Sequence, residues 1–223
     1  MKNLILAAVL FCCVQGAFAQ AWEAGFMVGI GYNLPNVTTE ATYNDQLVSI
    51  ASAGSNNGYR AVAFARYVPA FFPVFIQFDI LAAHTSGGIA FGMSNFGNEN
   101  FPMSIDRFVP TAMVGIRFTP RFRISGGPVY SFTYGSTIKN EKVMEAVFKP
   151  GEIGMQFVAG LDYGNLCFDL RYESTFAHGG YTEFRFQNNG KLSFYKGISE
   201  LSLLVGYRFG DYSSRRRSTK TYK

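Results

Sequence analysis

Residues 198–209 read ISELSLLVGYRF, and the alternation within them decides the fold. Leu201, Leu203, Val205, Tyr207 and Phe209 are apolar, whereas Glu200, Ser202, Leu204, Gly206 and Arg208 between them are mostly small or charged. A period of two is that of a strand with two unlike faces. The same pattern recurs about eight times along the chain, and most of the apolar faces end in aromatic residues. Alternation of this kind predicts an all-β protein: an eight-stranded antiparallel transmembrane barrel in an up-and-down meander, apolar side to lipid and polar side to the lumen.

Working back from residue 209, the expected strands cover 23–33, 58–68, 74–83, 105–118, 122–134, 153–163, 166–176 and 198–209. The connections alternate. Long polar loops are expected at 34–57, 84–104, 135–152 and 177–197, and short turns at 69–73, 119–121 and 164–165. Long external loops and short periplasmic turns are the rhythm of an outer-membrane barrel with both termini inside. Gly126-Gly127-Pro128, in the middle of a strand, predicts a bulge or bend. Gly164-Asn165 is a two-residue hairpin signal.

Residues 1–19 read as a cleaved secretory signal peptide: Lys2, then an apolar run from Leu4 to Val14, then Ala17-Phe18-Ala19 before Gln20. Residues 20–209 would form the barrel domain and 210–223 a basic periplasmic tail. Past the signal no apolar run approaches the ~18 residues of a membrane helix, so a membrane-spanning chain must close its sheet to satisfy its backbone. The formal charge of +5 is misleading. Arg215, Arg216, Arg217, Lys220 and Lys223 face only Asp211 in the tail; without the tail and Lys2, fourteen bases balance fourteen acids. A basic run confined to one terminus does not point to nucleic acid. Cys167, left alone in the mature chain, precludes an internal disulfide; on an inward position after the 164–165 turn it reads as a small packed residue.

The inward faces carry Arg60, Arg66, Arg117, Arg123, Arg171 and Arg208 together with Glu23, Asp79, Asp162, Asp169, Glu173 and Glu200, six of each sign. The interior of an eight-stranded barrel is only wide enough for its own side chains. Balanced arginine–carboxylate pairs would satisfy each other there, so the expectation is a plugged lumen crossed by an ion-pair network. The exclusive use of arginine suits planar two-point pairing.

Three stretches, VGIRFTPRFRISGGPVY at 114–130, FVAGLDY at 157–163 and VGYRF at 205–209, resemble the PorT-like small outer-membrane β-barrel family. The resemblance implies a small barrel in a Gram-negative outer membrane, in some members serving a secretion system for exported cargo. The chain departs from many barrels in running fourteen residues beyond Phe209, the aromatic that closes its last expected strand.

Chemistry is sparsely signalled. His84-Thr85-Ser86 is similar to the His-x-Ser element of outer-membrane lipid A deacylases, and Glu99, in the same expected loop, is the candidate acid to orient the imidazole. His178 has no ligand-type neighbours at metal spacing, so neither a metal nor a cofactor is expected. The first functional expectation is therefore a non-enzymatic structural or accessory envelope component, in contact with outer-membrane lipid. Its long loops or basic tail would meet protein partners, with secretion as one setting. The alternatives are an acyl hydrolase built on His84 and Ser86, or a narrow channel for small solutes.

Overall fold

The computed structural model describes residues 22–33, 39–43, 46–69, 73–93, 97–138, 143–148, 151–176, 181–186, 191–195 and 199–209. The expected signal peptide, His178 and the basic tail lie outside them.

All regular structure is strand: β1 (Trp22–Asn33), β2 (Thr39–Tyr43), β3 (Gln46–Tyr67), β4 (Val74–Met93), β5 (Gly97–Arg117), β6 (Phe122–Ile138), β7 (Val143–Phe148), β8 (Gly151–Tyr163), β9 (Leu166–Thr175), β10 (Tyr181–Phe186), β11 (Lys191–Tyr195) and β12 (Ser199–Phe209). Every pairing is antiparallel, and β1 bonds to both β12 and β3, which closes the sheet. The twelve runs reduce to eight staves. β2 continues the line of β1 beside β3, and β11 that of β12 beside β2. β10 continues β9 beside β11, while β7, paired to β10 and packed near β6, continues β8. The result is the expected eight-stranded meander.

Its surface is inverted relative to a soluble protein. Phe26, Val28 and Ile30, Phe78 and Ile80, Phe157 and Leu161, Leu203 and Val205 all point outward and are exposed. Arg66, Arg123, Asp169 and Arg171 are fully shielded inside. A closed sheet that shows aliphatics outside and hides charges inside is built to sit in lipid. Aromatic girdles bound the apolar band. Trp22, Tyr67, Tyr163 and Tyr207 ring the end that carries the termini, with the Trp22 and Tyr67 rings 5.4 Å apart, and Tyr32, Tyr59 and Tyr134 ring the other. From Tyr59 to Tyr67 a strand rises about 20 Å at ~3.3 Å per residue and a tilt of ~40°, close to the height of a membrane barrel's apolar band.

The expected long loops are in large part strand. β3 begins at Gln46, β4 runs to Met93, β5 starts at Gly97 and β6 reaches Ile138. Above Tyr59, β3 rises a further ~33 Å on the same geometry, so the barrel carries a strand-built crown beyond the lipid. Outside the membrane neither face of a strand has to be oily. The Asn/Gly/Ser/Thr content of these segments imitates a loop while their backbone still pairs.

Gly126-Gly127-Pro128 is regular in register against β8, at Phe157, Gln156 and Met155. The irregularity between β5 and β6 falls at Asp106/Arg107 instead. Residues without side chains permit a bend but do not insert the extra residue that makes a bulge. At the 164–165 turn Gly164 has φ of 61°, a conformation glycine adopts without steric cost.

Candidate functional site

Two features stand out: the charged lumen, and a small polar group on the outer wall at the level of the upper girdle.

The twelve lumen residues expected from sequence all point inward. Eleven are buried, and Arg117, at the mouth near the termini, keeps 13% of its side chain exposed. A thirteenth charge, Arg107, joins them at 1% exposure. It shares a face with Val109, Thr111, Met113, Gly115 and Arg117, so extending that strand's period by one more step would have found it. Among the described residues the interior therefore holds seven arginines against the six expected carboxylates. Glu152 lies at the crown side, accepting from Thr175 Oγ1 at 2.8 Å.

These charges form two groups. In the crown-side group Glu173 and Glu200 are direct cross-strand partners, an arrangement of like charges that is unfavourable alone. Arg107 spans them, Nη1 to Glu173 at 2.8 Å and Nη2 to Glu200 at 2.6 Å. Arg60 grips Glu200 with both Nε and Nη2, and its Nη2 also donates to Thr85 Oγ1 at 3.0 Å. In the group nearer the termini Asp162 receives Arg66, Arg117, Arg123 and Arg208 at 3.2–3.4 Å. Glu23 shares Arg66, Arg117 and Arg208 at 2.8–3.3 Å. Arg123 reaches on to Asp169, and Arg171 joins Asp169 at 2.9 Å to Asp79 at 2.6 Å. Phe75, buried within this group, packs below the Arg66 guanidinium at 5.3 Å.

Two-point pairing onto one carboxylate, the expected mode, occurs at Arg60–Glu200. The other arginines each bridge two carboxylates from different strands. A guanidinium can do this because its donors fan out in a plane, and a lysine ammonium could not hold the same fixed span. Between the groups lies an apolar layer. Val62, Leu81 and Val109 sit one inward step from Arg60, Ala83 and Arg107 on one side and from Phe64, Asp79 and Thr111 on the other. Met27, Val129 and Leu204 complete it. Among the described residues four buried guanidinium nitrogens have no hydrogen-bond partner: Arg66 Nη2, Arg117 Nε, Arg123 Nη1 and Arg171 Nε. All belong to the group nearer the termini, where five arginines meet four carboxylates.

On the outer wall, His84 and Ser86 project from β4 on the lipid-facing side. Glu99 does not approach them. It is registered with Phe91, seven residues up the ladder from His84 and about 23 Å away at ~3.3 Å per residue. The residue across from His84 is Asp106, whose Oδ1 lies 2.7 Å from His84 Nδ1. With 84–104 read as a loop, that cross-strand pair was invisible; counting back through the Met93–Gly97 hairpin supplies it.

No family model matches the chain, and no curated protein does. Among solved structures the chain is similar to Ail, the attachment invasion locus protein of Yersinia pestis. The identity is 13%, covering 85% of this chain and 99% of that one, with a TM-score of 0.34. A second structure of Ail, in complex with the heparin analogue sucrose octasulfate, gives 13% identity, the same coverage and a TM-score of 0.33.

Cys167 is fully buried, registered opposite Asp162 near the 164–165 turn. No group of three or more His, Cys, Asp or Glu that could hold a metal occurs among the described residues.

Proposed function

We propose that this protein is an integral barrel of a Gram-negative outer membrane that acts as a scaffold or accessory component of the envelope, with protein secretion as one setting. The observation that carries the reading is the lumen. Seven arginines, six carboxylates and an apolar layer fill it, nearly all with no exposure, so the barrel offers a wall and a crown in place of a pore. The exterior supports membrane residence, and the crown offers a surface on rigid strands for other envelope proteins. The resemblance to PorT-like barrels supports the secretion setting. Purified protein in planar bilayers should show no stable conductance steps. Crosslinking in native membranes should recover envelope proteins attached to the crown, and their loss when residues 39–50 are removed would fit the scaffold reading. Large, stable conductance would refute it.

A further inference from the structure

The outer wall carries a second set of groups that the scaffold reading does not use. His84 and Ser86 lie two residues apart on β4, so both side chains leave the same side of the sheet. Asp106 faces His84 across the β4–β5 ladder and binds Nδ1 at 2.7 Å. An Nδ1–H held by a carboxylate leaves Nε2 as the ring's basic nitrogen, the tautomer a nucleophile–base pair requires. Ser86 Oγ now donates to the Asn57 carbonyl at 3.3 Å, a long and therefore weak bond. Asn57 is the cross-strand partner of Ser86 and is itself exposed, so its side-chain amide is available as a donor beside the hydroxyl.

Depth and shape point to the substrate. Tyr59, registered with His84, belongs to the crown-side girdle, which places the triad at the outer lipid–water boundary, where the head of a lipid meets its chains. A groove of about 480 Å³ begins at Ser86 and passes Tyr59, Tyr32, Ile30, Leu203 and Leu201 down the apolar wall. Its floor is aliphatic and aromatic and it opens to the bilayer. The chemistry fits a lipid acyl chain lying along the wall with its ester carbonyl at Ser86.

We propose that Ser86, His84 and Asp106 form a membrane-facing acyl-ester hydrolase site whose substrate is an acylated lipid of the outer leaflet. Ser86 Oγ attacks the ester carbonyl as its proton passes to His84 Nε2, and the oxyanion faces the Asn57 amide. The ester C–O bond then breaks, and the leaving alkoxide takes the proton from Nε2 to depart as the alcohol. Water, deprotonated by Nε2, attacks acyl-Ser86, releasing the carboxylic acid and restoring the hydroxyl. The sum is ester plus water to acid plus alcohol.

The test uses the full mature protein in two vesicle preparations, one of diacyl phosphatidylcholine and one containing lipid A, with fatty acid and deacylated lipid followed by mass spectrometry. A fluorophosphonate probe on the folded protein gives a readout that does not depend on knowing the lipid. Release of fatty acid in one arm identifies the lipid source. The probe should mark the peptide bearing Ser86, and Ser86→Ala should abolish both signals. His84→Asn and Asp106→Asn should lower the rate by about 10²–10⁴-fold. These residues are on the outer wall, so each variant should keep the folded gel mobility, which guards against loss through misfolding. No product in either arm with no probe adduct on the folded wild type would overturn the proposal. So would activity undiminished in Ser86→Ala.

Discussion

Asp162→Asn is the sharpest probe of the packed lumen. The substitution keeps the side chain's volume and removes one charge. Asp162 accepts from Arg123 Nε at 3.2 Å, from Arg66 Nη1 at 3.3 Å, and from Arg117 and Arg208 at 3.4 Å, with 1% of its side chain exposed. Its loss changes the group nearer the termini from five arginines and four carboxylates to five and three. Removing one partner of a buried pair costs about 3–5 kcal/mol, because the remaining charge stays buried without its counter-ion. Glu23 still binds Arg66, Arg117 and Arg208, and Asp169 still binds Arg123, so the expected loss is at the low end, ~3 kcal/mol. The assay is urea unfolding in lipid vesicles, read by Trp22 fluorescence and by the mobility of unheated protein on gels. Adding Arg208→Gln returns the surplus to a single arginine, as in the wild type, and should recover ~1 kcal/mol or more. Asp106→Asn, on the exposed wall, should change stability by less than ~1 kcal/mol. An Asp162→Asn barrel as stable as the wild type would refute the reasoning, since the arginines would then be solvated by water and the lumen would not be a dry plug.

Other consequences can be checked singly. Cys167 is fully buried, so a maleimide should leave it untouched in the folded barrel and modify it in urea; rapid labelling of the folded protein would contradict the packing. A Cβ at Gly160 would sit 2.4 Å from the Arg123 guanidinium carbon, so Gly160→Val should push that arginine off Asp162 and Asp169. A destabilisation of about 1–3 kcal/mol is expected from the overpacking, measured by the same urea titration. Pro102→Cys, exposed on the crown part of β5, should be labelled in whole cells by a membrane-impermeant thiol reagent, and labelling only after outer-membrane permeabilisation would invert the barrel.

What could be read from the sequence follows from where lipid is. Between the girdles lipid forces alternation. Phe26-Met27-Val28 or Leu201-Ser202-Leu203 declare both their strand and their inward face, and the lumen arginines and carboxylates follow by parity. Arg107 escaped because the inward residue beside it, Val109, is apolar; a polar-in rule fails where the interior has its own apolar layer. Above the girdle the constraint lapses. Segments such as Gly97–Ser104 pair as regularly as any other, yet nothing in their side chains has to be oily on one side, so they read as loops. His84 falls in such a segment, although Asp106 stands in an expected strand. Its partnership with His84 depends on register, which composition does not carry, and Glu99 was preferred only for being an acid near His84 in the chain.

The staves that pass through the bilayer surface without a break in pairing make β4 and β5 a single ladder from Val74↔Ile116 to Met93↔Gly97. In such a sleeve a residue inserted on one arm above the membrane would turn every side chain between it and the hairpin tip to the opposite wall. Length changes on this ladder should therefore come in twos, matched on both arms, whereas an odd one needs a bulge of the kind that shifts the β5–β6 register at Asp106/Arg107. Related chains compared for the parity of their gaps would carry the imprint of this ladder even where no side chain has been kept.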